Sequence, residues 1–286
     1  MTFQKGQQLE IDQKVIGECF ELLNKFTIFD NEHLKQLVNK HLKEDRYGDI
    51  LPYKKNFVQL SNNKYINASF IHIPTQHNII ATQGPKKETI NDFWEMIFFY
   101  DCNIIVQLCD WNENGKEKCF NYININNLKY DYQIKESNLR WRDYNFKIDE
   151  LKVLNTKKNK EKKVYRIFFY NWNDHGIPAV QFSLSSFLLI FDIINKKKNN
   201  KPFVVHCSAG VGRTGCFIAI YLLHYFLKDK LNDQIIQFNI LNVVRQLREM
   251  RLHFIQNFEQ FYFIYRFIKY YLENNTLQKF KIEFLE

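Results

Sequence analysis

Between Pro202 and Leu227 the sequence leaves the backbone little choice. Pro202 to Val205 is short, apolar and β-branched, which reads as a buried strand. Gly215 to Leu227 is apolar almost all round, which suits a buried helix. The join is His206-Cys207-Ser208-Ala209-Gly210-Val211-Gly212-Arg213-Thr214, a tight turn holding two glycines. A buried strand that feeds a buried helix needs apolar layers on both sides, so the chain is expected to be α/β with a mixed sheet.

The turn also carries chemistry. Successive backbone N–H groups at a strand-to-helix turn point into one concavity, a nest for a phosphate-like dianion. Arg213 adds a planar fork for two phosphate oxygens. Cys207 at the base of the nest is expected to be a thiolate, which attacks phosphorus well. Thr214 is expected to donate a hydrogen bond to that sulfur, and His206 to tune it through local hydrogen bonds. A lone cysteine beside a glycine turn is usually structural; a cysteine and an arginine six residues apart across such a turn favour a functional site.

The rest of the chain bounds this reading. At 286 residues, with 45% hydrophobic and 16% aromatic residues, one large mixed unit is affordable in core, and residues 1–286 are expected to form a single catalytic domain. Residues 1–42 show helical spacing at Val15, Ile16, Cys19, Phe20, Leu23, Leu34, Leu37 and Val38, expected to give two or three short helices packed on the body. The net charge of +9 sits partly in lysine runs at 157–163 and 196–201, expected to be solvated loop tips. They lack aromatic interleaving, so no nucleic-acid partner is expected. No run approaches a membrane span, Met1 to Glu10 is polar, and the six cysteines show no paired spacing. A reducing, cytoplasmic setting is expected. No His, Cys and Asp cluster has metal-ligand spacing, so neither metal nor cofactor is expected.

Further strands are expected at 64–71, 79–85, 103–108, 118–122, 145–154 and 163–170, the last two forming a hairpin. Helices are expected from Thr89, at 182–194, 232–250 and 258–272.

In motif order from Asp45 to Tyr271 the chain resembles the protein tyrosine phosphatase family, specific for phosphotyrosine. Asp45-Arg46-Tyr47 is similar to its recognition loop, and Tyr65-Ile66-Asn67-Ala68-Ser69, Thr82-Gln83-Gly84-Pro85 and Phe93-Trp94-Glu95-Met96 to its core motifs. Glu113 and Lys118-Cys119 resemble the supporting loop, Trp172-Asn173-Asp174-His175-Gly176-Ile177-Pro178 the mobile acid loop, and Gln256-Asn257-Phe258-Glu259-Gln260 with Arg248 and Arg251 the glutamine loop. The resemblance implies a highly twisted mixed sheet flanked by helices, phosphotyrosine-containing proteins as partners, and hydrolysis through a phosphocysteine on Cys207. It implies Arg213 as clamp, Asp174 as general acid and then base, and Gln256 as holder of the attacking water. It gives substrate contacts to Tyr47, Asp49, Lys118, Gln260 and the loop Ser208, Ala209, Gly210, Val211 and Gly212.

Four residues depart from the family, Asn173, Asp45, Phe57 and Asn124, the last three expected to affect local packing. Asn173 stands where proline is usual, which bears on the acid loop's open–closed balance. Asp45 replaces an asparagine, and His253 precedes the glutamine loop, where it is expected to narrow the pocket mouth. Asn173 keeps a phosphotyrosine-binding pseudophosphatase in play as the alternative. A phosphoserine or lipid phosphatase fits less well, since Tyr47 makes the pocket deep and the loop from Ser208 to Gly212 is uncharged. The expected thiolate also implies reversible oxidation of Cys207.

Overall fold

The computed structural model describes residues 1–5, 7–26, 40–72, 79–126, 130–173 and 176–274. Its strands, in chain order, are β1 (Thr2–Gln4), β2 (Phe57–Gln59), β3 (Tyr65–Ile71), β4 (Ile79–Thr82), β5 (Ile104–Gln107), β6 (Asn112–Glu113), β7 (Lys116–Glu117), β8 (Tyr132–Arg142), β9 (Phe146–Asn155), β10 (Lys160–Phe169), β11 (Phe203–His206) and β12 (Ile235–Gln237). The helices are α1 (Gln13–Phe26), α2 (Ile90–Phe99), α3 (Val180–Lys197), α4 (Gly212–Leu227), α5 (Ile240–Met250) and α6 (Phe258–Glu273).

Eight strands form one mixed sheet in the order β2-β3-β4-β11-β5-β10-β9-β8. The four central strands are parallel, β11 pairing with β4 and β5, and β10 with β5. The flanks are antiparallel, through β3 on β4 and β9 on β10. Strands β4, β5 and β11 are buried at every position, which is why they read as continuous apolar runs. Helix α4 packs on α5 and α6, and α3 packs on α6. In α1, Ile16, Phe20 and Leu23 are buried on one face while Val15 and Leu22 face solvent. Phe20 meets Phe261 with ring centroids 5.4 Å apart, seating α1 on α6. The expected helical positions Leu34, Leu37 and Val38 lie outside the described residues. One hydrophobic cluster runs from Phe3 through the sheet to Leu272.

Several expected elements differ. Residues 118–122 form no strand, because their N–H groups are spent off any ladder: Lys118 and Cys119 donate to the Trp111 carbonyl and Phe120 to that of Pro85. Residues 232–250 are not one helix. Ile235 to Gln237 pairs antiparallel with Thr2 to Gln4, and the helix starts only after Asn239, whose side chain caps the Asn242 N–H at 2.9 Å. Helix α4 starts at Gly212, inside the expected turn. The lysine runs are not simply loop tips: Lys160, Lys162 and Lys163 belong to β10, and Lys196 and Lys197 end α3, where cations complement the helix dipole. The 11-residue β8 was not expected at all.

Candidate active site

Strand β11 ends at His206, and the chain turns at once into α4. Ligand crevices in such sheets lie outside the carboxyl ends of the strands, and Cys207 lies there. The five carbonyls of the turn are all bound on its outer side. His206 Nδ1 lies 3.1 Å from the Cys207 oxygen. Gly84 N–H donates to Ser208 at 2.8 Å. Arg251 gives Nη2 to Ala209 at 3.3 Å and Nε to Gly210 at 2.9 Å. Val211 accepts from Gly215 and Ile255. In a trans peptide the N–H opposes the C=O. Carbonyls turned outward therefore turn the N–H groups of Ser208 through Gly212 inward, which is the anion nest.

Gly210 is sterically required there, whereas Gly212 is crowded only by the ends of glutamine side chains. Gly210 is left-handed at φ +72°, and a Cβ on it would stand 2.2 Å from the Thr82 oxygen. A Cβ on Gly212 would stand 2.7 Å from Gln256 Oε1.

The cavity, about 110 Å³, is lined by Tyr47, Asp49, Lys118, Cys207, Ser208, Ala209, Arg213, Gln256 and Gln260, with Ile50. Cys207 is nearly buried at its floor. Arg213 makes a two-pronged bond to Glu113, at 2.7 and 2.8 Å, and gives Nη1 to the Trp172 carbonyl at 2.9 Å. Burial works against its charge; the Glu113 hydrogen bonds and carboxylate more than offset that and hold the guanidinium pKa up. Burial pushes the Cys102 thiol up to about 12, and those of Cys109 and Cys216 upward as well.

The wall is built from the recognition loop. Tyr47 Oη lies 2.9 Å from Ser208 Oγ, tying that wall to the nest. Asp45 is an anchor rather than a wall residue: it accepts from Tyr65 Oη at 2.7 Å and from Asn67 Nδ2 at 2.8 Å. Asn67 Oδ1 in turn takes Arg251 Nη2 at 2.8 Å, so the loop, β3 and the nest share one polar frame. Arg248 holds the lead-in to the glutamine loop by the Phe254 and Ile255 carbonyls, both at 2.9 Å. His253 and Ile255 are left-handed there, at φ 61° and 60°, a conformation a β-branched residue rarely takes. Gln260 Oε1 accepts the Gln256 N–H at 2.9 Å. His253 lines an adjoining hollow with Asp49, Ile50, Arg248 and Gln256.

The structure thus brings together every expected site residue except two. Asp174 lies outside the described residues. The Thr214 hydroxyl is buried and makes no hydrogen bond, so the expected bond to the Cys207 sulfur is not formed; with α4 beginning at Gly212, Thr214 rides on a helical turn and not on the open loop. His206 makes local hydrogen bonds, as expected, to the Cys207 carbonyl and to Tyr122. Tyr122 was missed by sequence reasoning; Glu113 was placed in the supporting loop, without its two-pronged hold on Arg213.

Comparison with known proteins agrees with this geometry. The family model described as protein-tyrosine phosphatase matches residues 41–270. Tyrosine-protein phosphatase non-receptor type 20 of Rattus norvegicus is 34% identical over 281 residues, covering 96% of this chain and 63% of that protein. Receptor-type tyrosine-protein phosphatase alpha of Homo sapiens is 31% identical over 267 residues, covering 90% of this chain and 32% of that protein. The chain thus spans less than two thirds of the length of these relatives. The solved structure of PTPN18 in complex with HER2-pY1196 phosphor-peptides superposes with a TM-score of 0.78 at 24% identity, covering 90% of this chain and 92% of that one, a likeness of fold.

Proposed function

The chain belongs to the protein-tyrosine phosphatase family, and from that premise we propose that it hydrolyses phosphotyrosine in proteins, in two steps and without metal or cofactor. In the first step the Cys207 thiolate attacks phosphorus in line, the P–O bond to the phenol breaks, and Asp174 gives its proton to the leaving oxygen. The product is a phosphocysteine. In the second, Asp174 takes a proton from a water held by Gln256 and Gln260, that water attacks phosphorus, and the S–P bond returns its electrons to Cys207.

Arg213 and the inward N–H groups hold the three equatorial oxygens, where charge is greatest. Tyr47 stacks on the substrate ring and sets a depth that phosphoserine does not span. Asp49, exposed at the mouth, accepts peptide N–H groups. The PTPN18 structure holds phosphor-peptides, and we extend that partner class, phosphotyrosine-containing proteins, to this chain. A cytoplasmic setting belongs to the same reading, which the six free thiols suit. Residues 1–286 are taken as one catalytic unit, with the N-terminal segment packed on it.

The observation that carries this reading is the ring of five outward carbonyls around Cys207. Phosphate release from phosphotyrosyl and phosphoseryl peptides, in chelator, tests it. Release from phosphotyrosine only, absent in Cys207→Ser, is expected. Tight phosphotyrosine binding with no release would favour the pseudophosphatase, and equal release from phosphoserine would remove Tyr47's role.

A further inference from the structure

The parallel strands end at the cavity and begin at the opposite pole of the sheet, where lysines gather. Helix α4 starts at the nest, and its 16 residues carry the chain about 24 Å away, to Leu227. Helix α3 ends at Lys197 at the same pole, and Lys198 to Lys201 lead from it into β11. The Lys197 ammonium stands 5.5 Å from the centre of the Tyr165 ring. Lys228, just past α4, lies 3.8 Å over the Tyr225 ring, and Lys198 lies 5.7 Å from the same ring. Lys230 lies 4.1 Å over Phe226, a ring that is 49% exposed. The two helix ends therefore meet in one surface of ammonium groups around an open apolar ring.

Carboxylates border this surface without neutralising it. Asp101 is shared by Lys162 and Lys201, and Asp192 pairs with Lys196 at 3.0 Å. Asp229 and Asp233 lie in the turn that carries Lys228 and Lys230. The lysines outnumber them. Lys198 is buried, and burial with the Lys228 charge pushes its ammonium pKa down to about 8. It still holds its proton at neutral pH, so two like charges flank the Tyr225 ring, and an anionic layer over them relieves their repulsion.

The chemistry of the surface selects its partner. Its cations are lysines with stems laid along aromatic rings, so the methylenes rest on apolar ground and the charges point outward. Fixed recognition of phosphates or base edges uses the planar fork of arginine, whereas lysine is a flexible point charge. Point charges around an exposed apolar ring suit a fluid layer of anionic headgroups above hydrocarbon. The bland counterpart is a set of lysines that only complements the carboxyl ends of two helices.

We propose that Phe226 and the lysines at the ends of α3 and α4 dock on an anionic lipid bilayer, which leaves the Cys207 cavity facing away from the lipid and open to protein substrates. The docking does not depend on the phosphatase reading, and its test reads binding rather than turnover.

The experiment is sedimentation of the full chain with vesicles in about 0.1 M salt, made of phosphatidylcholine alone or with about a third phosphatidylserine. Binding is expected to the phosphatidylserine vesicles only, and is expected to fade at about 0.5 M salt. Lys228→Ala combined with Lys230→Ala is expected to weaken it about 25-fold, about fivefold for each lysine. Phe226→Ala is expected to weaken it about fivefold. Lys54→Ala combined with Lys55→Ala removes the same charge just after the recognition loop and is expected to change it less than twofold, about the loss of a remote charge under screening. Melting temperatures are recorded for every variant; if one is lowered, the lipid and salt arms on the wild type decide. No binding to phosphatidylserine vesicles at low salt, or equal binding to neutral ones, would overturn the proposal. So would binding that Phe226→Ala leaves unchanged, or that the Lys54 and Lys55 pair weakens as much as the Lys228 and Lys230 pair. Tighter binding to duplex DNA than to the vesicles in the same buffer would give the surface to nucleic acid instead.

Discussion

The nest around Cys207 and the loop that begins at Trp172 meet at one side chain, Arg213, and are built in opposite ways. Every carbonyl of the nest is held from outside, by Gly84, Arg251, Ile255 and His206, and Gly210 has no room for a Cβ. The loop is tied to the body by the buried Trp172 ring, packed among Phe169, Phe187 and Phe263, and by the Trp172 carbonyl on Arg213. Its other described hydrogen bonds are internal: Trp172 Nε1 to the Gly176 carbonyl at 2.9 Å, and the Gly176 N–H to Asn173 at 3.1 Å. Charge stabilisation rewards a site that does not reorganise, and the nest is built that way. Arg213 joins the two, since the Trp172 carbonyl and Glu113 share its guanidinium.

Substitutions can break this contrast in order of size. Asp174→Ala is expected to lower kcat about 100- to 10,000-fold with little change in KM, because the nest still binds. Steady-state kinetics on a phosphotyrosyl peptide check it; a rise in KM without loss of kcat would mean the loop serves binding. Arg213→Lys removes the fork and both ties, to Glu113 and to Trp172, and is expected to cost about 100- to 1,000-fold in kcat with weaker vanadate binding, read by inhibition kinetics.

Acid acts on the body behind the nest through stability. Burial pushes His206 down to about 3 and His224 down to about 4, so both stay neutral when folded. Unfolded, each binds a proton below about pH 6.5, so folding stability falls as pH drops through that value. From pH 7.5 to 5.5 each is expected to cost about 1.4 kcal/mol in urea unfolding. His224→Phe, on α4 and away from the cavity, is expected to remove its half of that fall; an unchanged pH slope would contradict the assignment. The smallest effect is expected from Asn173→Pro. It stiffens the loop before Asp174 and is expected to change kcat by less than about tenfold while leaving vanadate binding unmoved, in the same assays.

The two regions also differed in how far the sequence disclosed them. The nest was legible because its constraints are local: Cys207, Gly210, Gly212 and Arg213 lie within seven positions and each has a chemical reason. The central strands β4, β5 and β11 were legible because burial on both faces leaves three apolar residues in a row, with a polar one only at the carboxyl end of each. Strand β8 was not, because it is the sheet's edge: it is largely exposed, carries Lys135, Glu136, Arg140 and Arg142, and its pairing slips twice against β9, so period-2 alternation is lost. Strand β12 escaped notice for another reason. Its partner is β1, more than 230 positions away, and no local pattern announces such a pairing. The hydrogen bond from Arg166 to Gln107 was equally hidden, since the two become neighbours only once β10 and β5 pair in parallel. Asn232 to Asn239 was misread as helix because apolar spacing at 235, 236 and 238 suits either period, and the Asn239 cap decides only the start of α5.

The central claim is that Cys207 carries the phosphoryl group covalently, and the second step is where that is most exposed. Gln256→Ala, mixed rapidly with a radiolabelled phosphotyrosyl peptide and quenched in acid, should accumulate label on the protein within the first turnover, and proteolysis should place it on the peptide containing Cys207. The same experiment on Cys207→Ser should show no such turnover-linked label. Product formation with no protein-bound phosphate at any time, or label that maps away from Cys207, would contradict the account.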